Sequence, residues 1–179
     1  MRIWLDQVRE EPIHWDETEQ VAPQELDRPE LVELSPVHWK GQVIHVDPDF
    51  FLRAHLSYEQ TLNCNRCLQP IHEPVDSDVE LMIRVGNPGK GPAAHGGEHE
   101  LREDDFGTLY VEDEVLETRP ILLEQLQLNI PMKPLCSPDC KGLCPSCGTD
   151  RNTGSCDCEE ETGDPRWAAL AALRDRLPG

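Results

Sequence analysis

Residues 136–158 read CSPDCKGLCPSCGTDRNTGSCDC and hold six of the eight cysteines in the chain. The other two, Cys64 and Cys67, form a C-x2-C pair earlier in the sequence. A C-x2-C turn brings two thiolates to one metal ion, and nearby backbone N–H groups can donate to the sulfurs. Eight thiols are the number that two four-thiolate zinc sites require. We therefore predict two structural zinc ions (Zn2+), with the ligands Cys64, Cys67, Cys136, Cys140, Cys144, Cys147, Cys156 and Cys158.

Other uses of these thiols are weaker interpretations. Disulfides are rare in a reducing cytosol, and an iron–sulfur cluster is a further alternative. A thioredoxin-like redox pair would lie between a strand and a helix, whereas Gln69-Pro70 after Cys67 predicts a turn. A catalytic zinc ion keeps an open position and often has His or carboxylate ligands, so eight thiols favour closed, structural sites.

The charge and the hydrophobic content exclude several classes of protein. The chain has 179 residues, with 35 acidic against 16 basic ones, and its net charge is −19. Non-specific attraction to nucleic acid or to an anionic membrane is therefore excluded as the main driving force for binding. No apolar run approaches the ~20 residues of a membrane span, and Met1 to Glu10 lacks the pattern of a secretory signal. We expect a cytoplasmic protein whose thin core is stabilised by metal.

The hydrophobic pattern predicts an α+β fold. Short apolar stretches between residues 31 and 85, including Phe50 to Leu62, predict consecutive strands, with a tight turn at Lys40-Gly41. Thr118 is the predicted cap of a helix. We expect a mainly antiparallel β-sheet or partly open barrel, with one or two peripheral helices and a C-terminal zinc-binding module.

The same pattern suggests two domains. Residues 1–135 form a mainly β domain that includes the Cys64/Cys67 turn and a flexible, glycine-rich loop at 86–105. Residues 136–179 form the zinc module and an amphipathic helix, which Asp164 caps and Pro165 begins.

Four basic residues lie near the cysteines, where the acidic residues are fewest. They are Arg66, Lys133, Lys141 and Arg151. Two interpretations are open, because these side chains can contact RNA or a partner, or can only screen the negative thiolates. The chain has no G-x-S-x-G, no phosphate-binding glycine loop followed by Lys and no H-E-x-x-H, so we expect no enzymatic activity.

The cysteine-rich run resembles the bacterial YceD family. The resemblance rests on residues 136–152, closed by Cys156-Asp157-Cys158 and followed by Asp164-Pro165-Arg166, and on the earlier C-x2-C after a strand. It implies a cytoplasmic, non-enzymatic protein needed for accumulation or processing of large-subunit ribosomal RNA. The partner would then be pre-ribosomal large-subunit RNA or a pre-ribosomal particle. The net charge favours an alternative, an acidic holder or adaptor for a basic protein of that pathway, such as a ribosomal protein or an RNA-modifying enzyme.

The resemblance also suggests how the cysteines pair. It implies one site made of Cys64, Cys67, Cys136 and Cys140, and the spacing C-x2-C-x8-C-x-C allows Cys144, Cys147, Cys156 and Cys158 to close a second, local site. The rival pairing joins the two C-x2-C turns and leaves the other four cysteines together. Spacing alone does not decide between them.

Overall fold

The computed structural model describes residues 1–86 and 107–158. Within these residues the chain forms eight strands, two α-helices and one short 3-10 helix. In chain order they are β1 (Arg2–Trp4), α1 (Leu5–Glu10), β2 (Ile13–Glu19), the 3-10 helix (Pro23–Leu26), β3 (Leu31–Leu34), β4 (Val37–Val46), β5 (Asp49–Asn63), β6 (Pro70–Val85), β7 (Thr108–Val111), β8 (Val115–Glu117) and α2 (Thr118–Asn129). The predicted C-terminal helix and most of the predicted flexible loop lie outside the described residues.

Among the described residues, six strands form an open sheet in the order β2-β4-β5-β6-β7, and β3 pairs with β5 beside β4. The alternation in β5 sets the two faces of this sheet, because the even-numbered residues from Phe50 to Leu62 are buried and the odd-numbered ones are not. One core covers the buried face, and it includes Trp39 of β4, Ile83 of β6 and Leu122 of α2. The predicted class, mostly strands with two helices, is confirmed.

One strand pair departs from the antiparallel pattern. β7 pairs with β6 in parallel, with Met82 opposite Thr108. β6 ends at Val85 and β7 begins at Thr108, so these parallel neighbours are far apart in the chain, whereas antiparallel neighbours can be joined by a two-residue turn. The other pairs in the sheet are antiparallel, as the sequence predicted.

The predicted turn at Lys40-Gly41 is wrong. Both residues lie inside the continuous strand β4, where Gly41 is opposite Trp15 on one side and Ala54 on the other. A Cβ added at Gly41 would lie 2.5 Å from the Trp15 ring. The glycine therefore marks a position where an indole ring covers the backbone, which is a recognised use of glycine within a strand.

The N-terminal segment closes the buried face of the sheet. β1 pairs with β8 in a separate two-stranded sheet, and α1 places Leu5 and Val8 in the core. The predicted cap role of Thr118 is wrong, because Glu117 occupies the N-cap position and the Thr118 hydroxyl accepts a hydrogen bond from the Met1 amine. Neither of the two α-helices among the described residues has the length and the hydrophobicity of a membrane-spanning helix.

The β5–β6 hairpin has an ion pair at one end and the first two cysteines at the other. At one end, Arg84 makes a bidentate contact with Asp49, where β5 begins and β6 ends. At the other end, β5 stops at Asn63 and is followed directly by Cys64. The turn between the strands therefore carries the first C-x2-C pair away from the sheet.

Candidate metal centres

The eight cysteine sulfurs lie in two groups of four. Cys64, Cys67, Cys136 and Cys140 form the first centre, and Cys144, Cys147, Cys156 and Cys158 form the second, with all sulfurs of a group within 4.8 Å of one another. This grouping is the first of the two pairings that the sequence left open. Each group could hold one metal ion.

The first centre joins two distant parts of the chain. The β5–β6 turn supplies Cys64 and Cys67, and the segment after α2 supplies Cys136 and Cys140. The Cys64 and Cys140 sulfurs are 3.8 Å apart, and those of Cys67 and Cys136 are 3.5 Å apart. The backbone N–H of Asn65 donates to the carbonyl of Pro134 at 2.9 Å and aligns the two segments. Cys64, Cys67 and Cys140 are buried, and the half-buried side chains of Leu135 and Leu143 pack against them.

The second centre is local and more open to solvent. All four of its cysteines lie within residues 144–158. Cys144 is buried, but Cys147 is exposed and Cys156 and Cys158 are half-buried. The two centres therefore differ in how easily a small solute reaches the sulfurs.

The two C-x2-C turns have the same backbone geometry. Cys64 N–H donates to Gln69 O and Leu68 N–H donates to Cys64 O, both at 2.9 Å. The second turn repeats both bonds at 2.8 Å, from Cys144 N–H to Thr149 O and from Gly148 N–H to Cys144 O. The residue after the second cysteine has positive φ in each, +61° at Leu68 and +75° at Gly148. The glycine predicted this geometry at the second turn, and no sequence signal predicted it at Leu68.

Hydrogen bonds lower the pKa of some thiols in the first centre and raise the pKa of others. Burial opposes ionisation of Cys64, but the backbone N–H groups of Cys136, Cys67 and Arg66 lower the pKa of its thiol to about 6. The pKa of Cys140 is also lowered, against the effect of burial, by hydrogen bonds from the Asn152 side chain and the Gly142 backbone. The neighbouring Cys140 and Cys67 sulfurs raise the pKa of Cys136 to about 12.

The second centre also contains thiols with lowered pKa and thiols with raised pKa. The backbone N–H groups of Cys147 and Ser146 lower the pKa of Cys144 to about 6, and the Thr149 hydroxyl lowers the pKa of Cys147. The Cys147 sulfur raises the pKa of Cys158 to about 12. Four thiolates repel one another without a cation, so a divalent ion would displace the protons that remain in each centre.

A short link joins the centres. Only three residues separate Cys140 from Cys144, and the Leu143 N–H donates to the carbonyl of Arg66 at 3.0 Å. The Arg66 guanidinium donates from Nη1 to the carbonyls of Cys140, at 2.7 Å, and Pro138. From the second centre, Asn152 Nδ2 donates to Cys140 Sγ at 3.4 Å. Sequence reasoning missed Asn152, because an asparagine in a cysteine-rich loop carries no distinguishing pattern.

The four basic residues near the cysteines have different surroundings. The Arg66 guanidinium donates to the carbonyl of Cys140, at the start of the link. Arg151 Nη2 lies 3.8 Å from Cys144 Sγ, a position in which a basic side chain can screen a thiolate. Lys133 and Lys141 are exposed. Lys133 borders a cleft of about 570 Å³ between the start of β6 and residues 131–138.

The chain is similar to proteins of one family. The family model described as "Large ribosomal RNA subunit accumulation protein YceD" matches residues 52–174. That range contains all eight cysteines. No solved structure matches the chain.

Three relatives show the extent of the similarity. YlbN of Bacillus subtilis is 29% identical over 94% of this chain and 92% of its own length. The Mycobacterium tuberculosis protein Rv2926c is 32% identical over 62% of this chain and 48% of its own. An Arabidopsis thaliana protein named "Large ribosomal RNA subunit accumulation protein YCED homolog 1, chloroplastic" is 27% identical over 65% of this chain and 42% of its own. The chain thus spans about half the length of the mycobacterial and plant relatives. The family model nevertheless covers most of its sequence, and the chain belongs to the YceD family.

Proposed function

We propose that the chain is a non-enzymatic, cytoplasmic factor in the accumulation or processing of large-subunit ribosomal RNA, and that two zinc ions stabilise it. Membership of the YceD family and the name of the plant relative support the ribosomal role. One observation supports the structural role of the metal: the sulfurs fall into two sets of four, and four thiolates are the number that a closed tetrahedral zinc site requires.

The donor set favours zinc over other ions. Thiolates are soft ligands, and four of them in a closed site suit zinc or iron and exclude magnesium or calcium, which require oxygen. The N–H groups that donate to Cys64 and Cys144 are the outer contacts that orient thiolate ligands in such sites. We assign all eight cysteines as ligands on this basis.

The partner belongs to one of two classes. The first is pre-ribosomal large-subunit RNA or a pre-ribosomal particle, contacted in the region of Arg66, Lys133, Lys141 and Arg151. The second is a basic protein of the same pathway, which the net charge of −19 would attract over the whole surface. Few bases and many acids make strong binding of naked RNA unfavourable at physiological salt.

Co-purification with and without ribonuclease separates these classes. If RNA is the direct partner, ribonuclease releases large-subunit precursors and their proteins from the chain. If a basic protein is the direct partner, that protein stays bound after digestion and dissociates at high salt. Association with neither large-subunit RNA nor any ribosomal or RNA-modifying protein would contradict the proposed function.

Replacement of Lys133 and Lys141 tests RNA contact without disturbing the cysteine centres. Neither side chain belongs to the link between the centres, unlike Arg66, so Lys133→Ala/Lys141→Ala should leave the metal content unchanged. We expect the double variant to lose recruitment to large-subunit precursors. Lys40→Ala is the matched control, because Lys40 is an exposed lysine on β4, away from the cysteines. Full recruitment of the double variant would move the contact surface to the acidic faces.

The division into residues 1–135 and 136–179 remains part of this proposal. Limited proteolysis of the metal-loaded chain should cleave first within 86–105. The products should stay associated even after a chelator removes the metal, because β1 pairs with β8, β6 pairs with β7, and α2 packs in the same core as β5.

A further inference from the structure

The side chain of Asn152 connects the loop of the second centre to a ligand of the first. Asn152 lies between Cys147 and Cys156, within the loop that the second centre closes. Its Nδ2 donates to Cys140 Sγ at 3.4 Å and to Asp150 Oδ1 at 2.7 Å. Its Oδ1 accepts the backbone N–H of Lys141 at 2.8 Å. One side chain thus holds a thiol of the first centre and the residue that follows it.

The first centre makes a reciprocal contact with the second. The carbonyl of Arg66, inside the first C-x2-C turn, accepts the N–H of Leu143, which directly precedes the ligand Cys144. The Arg151 N–H donates to the carbonyl of Gly142 at 2.9 Å, within the same link. Residues 141–143 are therefore held from both sides, by the first C-x2-C turn and by the loop that the second centre closes.

The two centres differ in their access to solvent. In the first, three of the four thiols are buried, whereas in the second only Cys144 is buried and Cys147 is exposed. A chelator reaches the second centre more readily, so this centre should lose its ion first. The hydrogen bonds from Asn152 to Cys140 and Lys141 connect this loss to the first centre.

We propose that the two centres bind metal cooperatively, and that the second, exposed centre sets the affinity of the first through Asn152. The proposal rests on the assignment of both centres as zinc sites. Ion binding at the second centre fixes the loop that carries Asn152. The fixed amide then donates to Cys140 without a further ordering cost and stabilises the thiolate that the first ion requires. Because coupling between two binding sites is reciprocal, a filled first centre strengthens the second by the same factor.

This coupling would make the fold respond to the supply of zinc. The first centre attaches residues 134–140 to the end of β5, through Cys64, Cys67 and the bond from Asn65 to Pro134. Loss of the exposed ion would weaken the first centre and free the cysteine end of the sheet. The proposed contact region around Arg66, Lys133, Lys141 and Arg151 would then stay folded only while zinc is available.

Competition titrations of the full chain with Zn2+ and a chromophoric chelator test the coupling. The Cys156→Ser/Cys158→Ser variant removes the second centre and leaves every ligand of the first. We expect the affinity of the remaining site for Zn2+ to fall about tenfold relative to the first centre of the wild type, the scale of one hydrogen bond to a charged group. Asn152→Ala should cause a similar loss while both centres remain. The control Thr153→Ala, an exposed neighbour in the same loop, should change neither affinity.

Combining the variants makes the test decisive. If Asn152 carries the coupling, Asn152→Ala has no further effect once Cys156 and Cys158 have been replaced. Unchanged affinity of the first centre in the Cys156→Ser/Cys158→Ser variant would overturn the proposal, and so would equal effects of Asn152→Ala with and without the second centre. Failure of the wild type to bind any Zn2+ would instead contradict the zinc assignment itself, so the two failures are distinguishable. Circular dichroism of each variant identifies a loss of binding that comes from unfolding.

Discussion

Gly142 packs so closely against the main chain of Arg66 that a Cβ at Gly142 would lie 2.8 Å from the Arg66 carbonyl oxygen. The same carbonyl accepts the N–H of Leu143. The link between the two cysteine centres therefore depends on a residue without a side chain, held at φ +71°.

Gly142→Ala and Gly148→Ala form a matched pair that separates steric clash from backbone strain. Both glycines have positive φ, but a Cβ at Gly148 meets no atom within 4 Å. We expect Gly148→Ala to cost about 1 kcal/mol from strain alone, and Gly142→Ala to cost roughly 3 kcal/mol because the backbone must also move. Thermal unfolding of the metal-loaded proteins measures both. Equal losses of stability would show that the contact with Arg66 does not constrain the link.

Gly41→Ala should destabilise the sheet although alanine is a small residue. The added methyl group would meet the Trp15 ring at 2.5 Å and the Ala54 side chain at 2.7 Å. Overpacking of this kind costs about 1–3 kcal/mol. Gln42→Ala, on the same strand, is the control and should change the free energy of unfolding by less than about 1 kcal/mol. A neutral Gly41→Ala variant would mean that the Trp15 ring lies elsewhere.

The Asp49–Arg84 pair predicts a dependence of stability on pH. Hydrogen bonds from Arg84 hold the pKa of the Asp49 carboxyl below its usual value, although burial acts in the opposite direction. A lowered pKa in the folded state contributes stability above the unfolded pKa, and this contribution is lost as the pH falls below about 4. Asp49→Asn should therefore cost roughly 1–2 kcal/mol at neutral pH.

The cost of Asp49→Asn should shrink in acid, because the wild-type carboxyl then becomes neutral as well. Denaturant unfolding of both proteins at several pH values measures the difference. Asp47→Asn serves as the control, since Asp47 is exposed and only two residues away. A cost that is the same at pH 3 and pH 7 would contradict the role of the ion pair.

The strands and the cysteine turns could be predicted because their signals are local. Alternation from Phe50 to Leu62 shows which face of β5 is buried, and C-x2-C spacing indicates that the thiols gather around ions. The division of the thiols into two groups followed only from the family resemblance. Spacing left both pairings open, because the grouping depends on where the β5–β6 turn meets residues 136–140.

Contacts between distant segments could not be predicted from local patterns. The pairing of β1 with β8, the parallel pairing of β7 and the bond from Asn152 to Cys140 depend on tertiary placement. Gly41 was misread for a related reason, since a glycine covered by a tryptophan from another strand has the same local pattern as a glycine in a turn.

Cys64→Ser should disturb more of the molecule than Cys156→Ser. Cys64 belongs to the centre that joins the end of β5 to residues some 70 positions later, whereas Cys156 closes a local loop. The entropy of closing the longer loop favours a larger effect by about 1–2 kcal/mol, and loss of the first centre also frees the end of the sheet. Far-ultraviolet circular dichroism of the two variants should show the greater loss of β signal in Cys64→Ser. Equal losses would contradict this difference between the centres.

The metal content of the purified chain shows whether two zinc ions hold its cysteines together. Native mass spectrometry should show two zinc ions per chain, and a thiol reagent should react slowly with the native protein and rapidly with all eight cysteines after chelation. Fewer than one zinc ion per chain, or eight freely reactive thiols in the native state, would contradict the account.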